Sequence, residues 1–220
     1  MTETMSALSG PEWDAVVRVY GFPVVENSVG QRATFGKSRS LEVLAWLGMN
    51  TDRPRRSAVR TAIWDIEITD STFSTILCDI RRGLNKLETP SVQTQWIPPT
   101  FNDYINIGNR LTTDFDLLSK AFDAFQEDDR NVTGLVYELS RIRDVPFAGT
   151  DYEWADLDGT TTRMVVVAVE SAMTLATWAH NKRNTNACLA AVKAGLRVFP
   201  GCDELLDLQK SFLSSRLLSR

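Results

Sequence analysis

The sequence predicts a mainly α chain with a small β component, in two parts. An N-terminal part carries a short sheet and a three-helix unit, and an all-α part follows it. Three observations lead there. In Gly36–Leu87, Phe73, Ile76, Leu77, Ile80, Leu84 and Leu87 recur at helical spacing and form one apolar stripe that must be buried. Upstream, VVRVYGFPVVE (16–26) is β-branched and aromatic, broken by Gly21 and Pro23. From Asp114 onward the apolar spacing is helical throughout and the composition turns acidic.

In order along the chain, 1–12 reads as a tail. VVRVYGFPVVE predicts two strands, ENSVGQ a turn, and RATF a third strand entering the first helix. That helix turns Leu41, Leu44, Ala45 and Leu47 inward. Pro54 suits the first turn of the second helix, where its missing N–H costs nothing. Val59 and Ile63 form that helix's apolar pair, and Asp70 or Ser71 can cap the third. Opposite the stripe of the third helix lie Ser71, Thr75, Cys78, Arg82 and Lys86. A shorter helix, a turn and a longer helix with one apolar and one polar-basic face is the form of a helix-turn-helix. ETPSVQTQ then reads as a polar loop, and WIPPTFNDYINIG as an irregular hairpin with Ile105 and Ile107 on one face.

In the second part Phe115, Leu118, Phe122 and Phe125 share one helical face, and Val132, Leu135, Val136, Leu139 and Ile142 another. After the loop DVPFAGTDYEWADLDGTTT, helices are predicted at 163–180, 184–198 and 203–217. Leu196, Phe199 and Leu205 are expected between adjacent helices. The run AAVKAGLRVFP resembles the second helix of a tetratricopeptide-type repeat, with small residues for close packing and Pro200 as a stop.

The words SRSLEVLAWL, RRSAVRTAIW, TFSTILCDIRRGL, VPFAGTDYEW and GLRVFPGCDELL, in that order, resemble the bacterial transcriptional activator domain family, in an actinobacterial branch. The resemblance implies an N-terminal winged helix of the response-regulator (OmpR) type at 13–110 and a tetratricopeptide-like (TPR-like) all-α domain at 111–220. It also implies a DNA-binding transcriptional regulator. The candidate contacts are Arg55, Arg56, Ser71, Thr75, Cys78, Arg82 and Lys86, with the helix at 71–87 entering the major groove. The α domain would contact a protein partner or another copy of the chain. No cofactor is implied. In the closest branch this pair of domains ends a membrane-anchored protein, so the alternative is a protein-interaction module that keeps the shape with little DNA affinity.

Composition bounds these expectations. The 220 residues are 43% hydrophobic, enough for packed cores, and no apolar run nears the roughly 20 residues that span a bilayer. MTETMSALSGPEW has no secretory pattern, and Cys78, Cys188 and Cys202 form neither a disulfide framework nor a zinc pattern. A cytoplasmic, reduced protein is the expectation. Residues 1–110 hold 12 Lys/Arg and 12 Asp/Glu, net zero, and 111–220 hold 12 and 16, net −4. A DNA-binding domain is usually basic, and base is concentrated here only locally: Gly36–Arg60 has six cations against Glu42 and Asp52. Arg81 and Arg82 admit two readings, groove contacts or solvated helix surface. Asp70 can cap a helix N-terminus, whereas Asp79 falls on the flank of the exposed face, where a carboxylate repels phosphate.

Other chemistries fail on spacing. GQRATFGKS places five residues between its glycines where a phosphate-binding P-loop needs four. In the acidic loop Asp151–Gly159, Trp154 and Val165 fall where a calcium loop needs ligands. His180 is the only histidine, with no companion for a zinc site, and no serine sits in a nucleophile elbow. Neither enzymatic activity nor a metal is expected.

Overall fold

The computed structural model describes residues 13–52, 54–88, 95–99 and 102–218, with the side chains of 212–218 excluded. The expected tail (1–12), Arg53, most of the polar loop (89–94) and two residues of the expected hairpin (100 and 101) lie outside the described residues. The described chain is mainly helical with a small three-stranded sheet. It forms two compact units. One comprises Met1–Val17 with Val25–Thr112, the other Arg18–Val24 with Thr113–Arg220.

The sheet has strand order β2-β1-β3, from β1 (Ala15–Arg18), β2 (Val24–Asn27) and β3 (Leu111–Thr113). It belongs to the first unit apart from the strand-end residues Arg18, Val24 and Thr113. All four residues of β1 are buried. Asp14, fully buried, pairs with Arg110 at 2.7 Å, and the amides of Asp14 and Ala15 donate to the Arg110 carbonyl beside β3. The third strand is not RATF. Arg32 makes one isolated bridge to Glu26 and Ala33 one hydrogen bond to Val25, after which the chain leaves the sheet. The turn between is fixed by Asn27, whose Oδ1 accepts from the amides of Val29 and Gln31, and by Gly30 at a φ of 82°.

Helix α1 (Ser40–Met49) is buried almost all round: Leu44, Ala45 and Leu47 as expected, and Val43 and Trp46 besides, whereas Leu41, also expected inward, is only half-buried. Helix α2 (Arg56–Ile63) buries Val59 and Ile63. Pro54 lies before it rather than in its first turn, and its carbonyl accepts from the Ile105 amide. Helix α3 (Asp70–Leu84) is capped by Thr69, whose side chain accepts from the Thr72 amide, so Asp70 is the first helical residue and not the cap. The whole apolar stripe from Phe73 to Leu87 is buried. After α3, Asp103 and Tyr104 meet the chain before α2. The Arg56 amide donates to the Asp103 carbonyl at 2.7 Å, and Arg55 bridges Tyr104. Ile105 is buried and Ile107 half-buried.

In the second unit, α4 (Asp114–Glu127) is capped by Thr113 and buries Leu118, Phe122 and Phe125. Phe115 is only half-buried, beneath the guanidinium of Arg163. A 3-10 turn at Asp129–Asn131 leads to α5 (Val132–Ser140), with Leu135 and Leu139 in the core. The following loop contains a short helix, α6 (Glu153–Leu157). The helix expected at 163–180 is α7 (Thr160–Asn181). Helices α7 and α8 (Thr185–Val198) bury alanines at four-residue intervals, Ala168, Ala172 and Ala176 on one and Ala187 and Ala191 on the other. Gly195 continues the second series. A Cβ there would meet Leu205 Cδ1 at 2.4 Å and Ala172 Cβ at 2.9 Å, so glycine is what lets α7, α8 and α9 (Asp203–Leu218) approach. Leu205 is fully buried, but Leu196 is half-buried and Phe199 is 49% exposed at the end of α8.

The segment Arg18–Val24 is anchored within this unit. Buried Asp114 accepts from the amides of Val19 (2.7 Å) and Tyr20 (3.4 Å), and the Tyr20 hydroxyl donates to the Met164 carbonyl. Burial pushes Asp114 up to about 6, against the opposing pull of those amides and of Arg18 and Arg143.

Candidate nucleic-acid interface

Helix α2, the linker Trp64–Ile68 and α3 form the helix pair anticipated from the sequence. Burying the stripe that begins at Phe73 forces the opposite side of α3 outward. Ser71, Thr75, Cys78 and Arg82 are all exposed, and so is Lys86 in the turn just past the helix. The Thr75 hydroxyl donates back to the Ser71 carbonyl, and Cys78 is a free, exposed thiol. Arg82 is 71% exposed, with Nη1 3.9 Å from Asp79.

Arg55 and Arg56 differ from each other. Arg55 is exposed and lies over the Tyr104 ring, donating to its hydroxyl at 3.0 Å. Arg56 is half-buried, donates to Ser74 Oγ at 2.9 Å and stacks on Phe73, so it braces α2 against α3. Arg81 turns away from the exposed face, and its Nε donates to the Ile97 carbonyl at 2.6 Å. Arg60 pairs with Asp70 at 2.6 Å and also reaches the Ile68 carbonyl, fixing the linker to the start of α3.

Asp79 is not on the flank of the exposed face. Its side chain is 8% exposed. It accepts from the Gly36 amide (3.2 Å), the Lys37 amide (2.9 Å) and the Ser40 hydroxyl (2.8 Å). Burial raises its pKa, but the bonds from Ser40, Lys37 and Gly36 and the charge of Arg82 outweigh that and hold it below the ordinary carboxylate value. The stretch that mimics a P-loop therefore does wrap an anion with backbone N–H groups, and the anion is the chain's own carboxylate. A few residues on, Gly83 allows the same loop to touch α3: a Cβ there would lie 2.6 Å from the Phe35 ring and 2.8 Å from the Thr34 carbonyl.

Farther along, Gln31 Nε2 donates to the Lys86 carbonyl and its Oε1 accepts from the Glu88 amide. The loop from Gln31 to Lys37 thus runs beside the C-terminal half of α3. Arg32 and Lys37 are exposed on it, and neither pairs with a carboxylate among the described residues. The readable signal is a run free of acid, Asn27–Leu41, carrying Arg32, Lys37 and Arg39. Of these, Arg39 is paired with Glu42.

Beside the α2–α3 linker, Ser57, Arg60, Trp64, Ile66 and Ile68 help to line a cavity of about 410 Å³, with Ile66 75% exposed between Asp65 and Glu67. Among the described residues no group of His, Cys, Asp and Glu is placed to hold a metal ion, and no helix is long and apolar enough to cross a membrane. His180 is exposed at the end of α7; of the acidic residues in the 151–158 loop, Glu153 and Asp156 lie in α6 and Asp158 is its C-cap, with Asp151 just before the helix. No protein-family model matches the chain, and comparison with curated proteins finds no match.

Proposed function

We propose that the chain is a DNA-binding regulator whose first unit is a winged helix and whose α3 reads the major groove. The observation that carries this reading is the exposed polar-basic face Ser71–Thr75–Cys78–Arg82–Lys86, backed by a fully buried stripe and preceded by a short helix and turn. The bridge between Arg55 and Tyr104 ties the chain before α2 to the segment after α3, where this reading puts the wing. On this reading Arg82 and Lys86 approach phosphate or base edges, and Ser71, Thr75 and Cys78 line the groove. The second unit, a TPR-like stack, serves a protein partner or a second copy. The ordered words in the sequence support membership of the bacterial transcriptional activator domain family.

Duplex binding measured against salt tests this. Arg82→Ala and Lys86→Ala should each weaken binding and reduce the slope of log K against log salt by about 0.9 per lost phosphate contact. No binding by the wild type at low salt would overturn the proposal. In that case the exposed Ile66 between Asp65 and Glu67 favours the second reading, an interaction module that keeps the shape and binds protein through the α2–α3 linker.

A further inference from the structure

We infer that the loop Gln31–Lys37 is a second nucleic-acid contact, with Arg32 and Lys37 reaching the phosphodiester backbone alongside the groove that α3 occupies. The inference rests on the DNA-binding reading and adds to it a surface from a different part of the chain. Its basis is geometric. The loop is fastened to α3 at three successive levels: Gln31 at Lys86 and Glu88, Thr34 and Phe35 at Gly83, and Gly36 and Lys37 at Asp79. Those levels run beside Arg82 and Lys86, the two cations of the exposed face of α3.

Charge singles out this ridge. Elsewhere in the first unit cations are largely committed: Arg39 to Glu42, Arg60 to Asp70, Arg110 to Asp14, Arg81 to the Ile97 carbonyl and Arg56 to Ser74. Arg32, Lys37 and Lys86 pair with no carboxylate among the described residues, and Arg82 has only buried Asp79 at 3.9 Å. A carboxylate at position 79 would ordinarily repel a phosphate. Here it is enclosed by N–H and O–H donors, which face it with their positive ends and reduce the field that it sends outward. A backbone phosphate passing the ridge therefore meets the four cations, with exposed Glu88 at the Gln31 end. Arg55 and Arg56, the obvious candidates by position, are instead occupied with Tyr104, Ser74 and Phe73.

The test is a salt titration of full-chain binding to a mixed-sequence DNA duplex, comparing the wild type with Arg32→Ala/Lys37→Ala, Arg55→Ala/Arg56→Ala and Arg82→Ala. Circular dichroism melts confirm that the surface variants fold. The expected result for the loop pair is a fall in slope of about 1.8, at about 0.9 per phosphate contact, with weakening on every sequence alike. For the Arg55/Arg56 pair the slope should change by less. If Arg82→Ala weakens binding while the loop pair keeps the wild-type slope, the loop contact is wrong and the reading of α3 survives. If the wild type binds no duplex at low salt, the DNA reading fails and the loop contact falls with it.

Discussion

Replacing Asp79 with alanine should destabilise the first unit although it removes a charge from a surface proposed to meet DNA. Three donors lose their acceptor. Ser40 is fully buried, so its hydroxyl is left without a partner at a cost of about 1–3 kcal/mol. Gly36 and Lys37 are exposed, their amides can turn to water, and each bond is worth about 0.5–1 kcal/mol net. The expected loss is therefore about 2–5 kcal/mol, read as a lower midpoint in urea with an unchanged slope. Acid separates the ionic contribution. Because the folded pKa lies below the ordinary value, ionised Asp79 contributes stability above that ordinary value and loses it as pH falls through the folded one. Asp79→Asn keeps the shape and one acceptor, so its deficit relative to the wild type should shrink on acidification. A deficit below about 0.5 kcal/mol for Asp79→Ala at neutral pH would refute the latch, since that is the range of an ordinary surface change. Asp79→Arg, which the sequence would favour for tighter DNA binding, should destabilise instead, because it brings a cation to a site built of donors.

Other consequences follow from the second unit. Asp114 titrates in the opposite sense to Asp79: its pKa is raised from 3.8 to about 6, so its favourable contribution is complete below the ordinary value and is lost as pH rises through about 6. Measured against the non-titrating Asp114→Asn, the wild type should lose about 2 kcal/mol between about pH 4 and pH 7, and a flat difference would contradict the burial of an ionisable Asp114. Gly195→Ala should cost about 1–3 kcal/mol, because Leu205 can swing its methyl aside but the Ala172 Cβ cannot, and a gain in melting temperature would exclude that close approach. Leu205→Ala should cost about 2–5 kcal/mol and Phe199→Ala far less, and the reverse order would mean that the end of α8 is misplaced.

Most of the helices were legible because each buries an apolar stripe of its own; α1 is buried almost all round, and α6 lay hidden in a stretch with loop composition. Phe73 to Leu87 specifies both the buried and the exposed face of α3, and the five outward residues follow from 3.6-residue geometry alone. What the sequence hid depends on partners far along the chain. Leu111–Thr113 is too short to show a strand period, and it becomes one beside β1. RATF has strand composition, yet it turns from the sheet because α3 offers Gly83 as a landing place and Asp79 as an acceptor. Phe199 has core chemistry but stands where α8 ends, so the turn carries it outward to 49% exposure.

Charge summation misleads for a related reason. Twelve cations against twelve acids in residues 1–110 reads as neutrality, and neutrality argues against a nucleic-acid surface. A phosphate, however, responds to the local field and not to the sum. Asp14 is buried against Arg110, Glu42 is held by Arg39, Asp70 by Arg60, and Asp79 by amides and a hydroxyl. Each of these acids is neutralised where it stands, at distances far inside the roughly 8–10 Å over which salt screens a surface charge. The sum of zero thus hides an uneven surface, with Arg32, Lys37, Arg82 and Lys86 gathered along one side of α3. A chain with the same composition and those four cations scattered would be equally neutral and would offer DNA nothing. Moving Lys37 to an exposed position of the second unit, such as Thr133, tests that distinction at constant net charge: in Lys37→Thr/Thr133→Lys the salt slope should fall by about 0.9, although the formal charge is unchanged. An unaltered slope would show that total charge, and not its placement beside α3, governs the affinity.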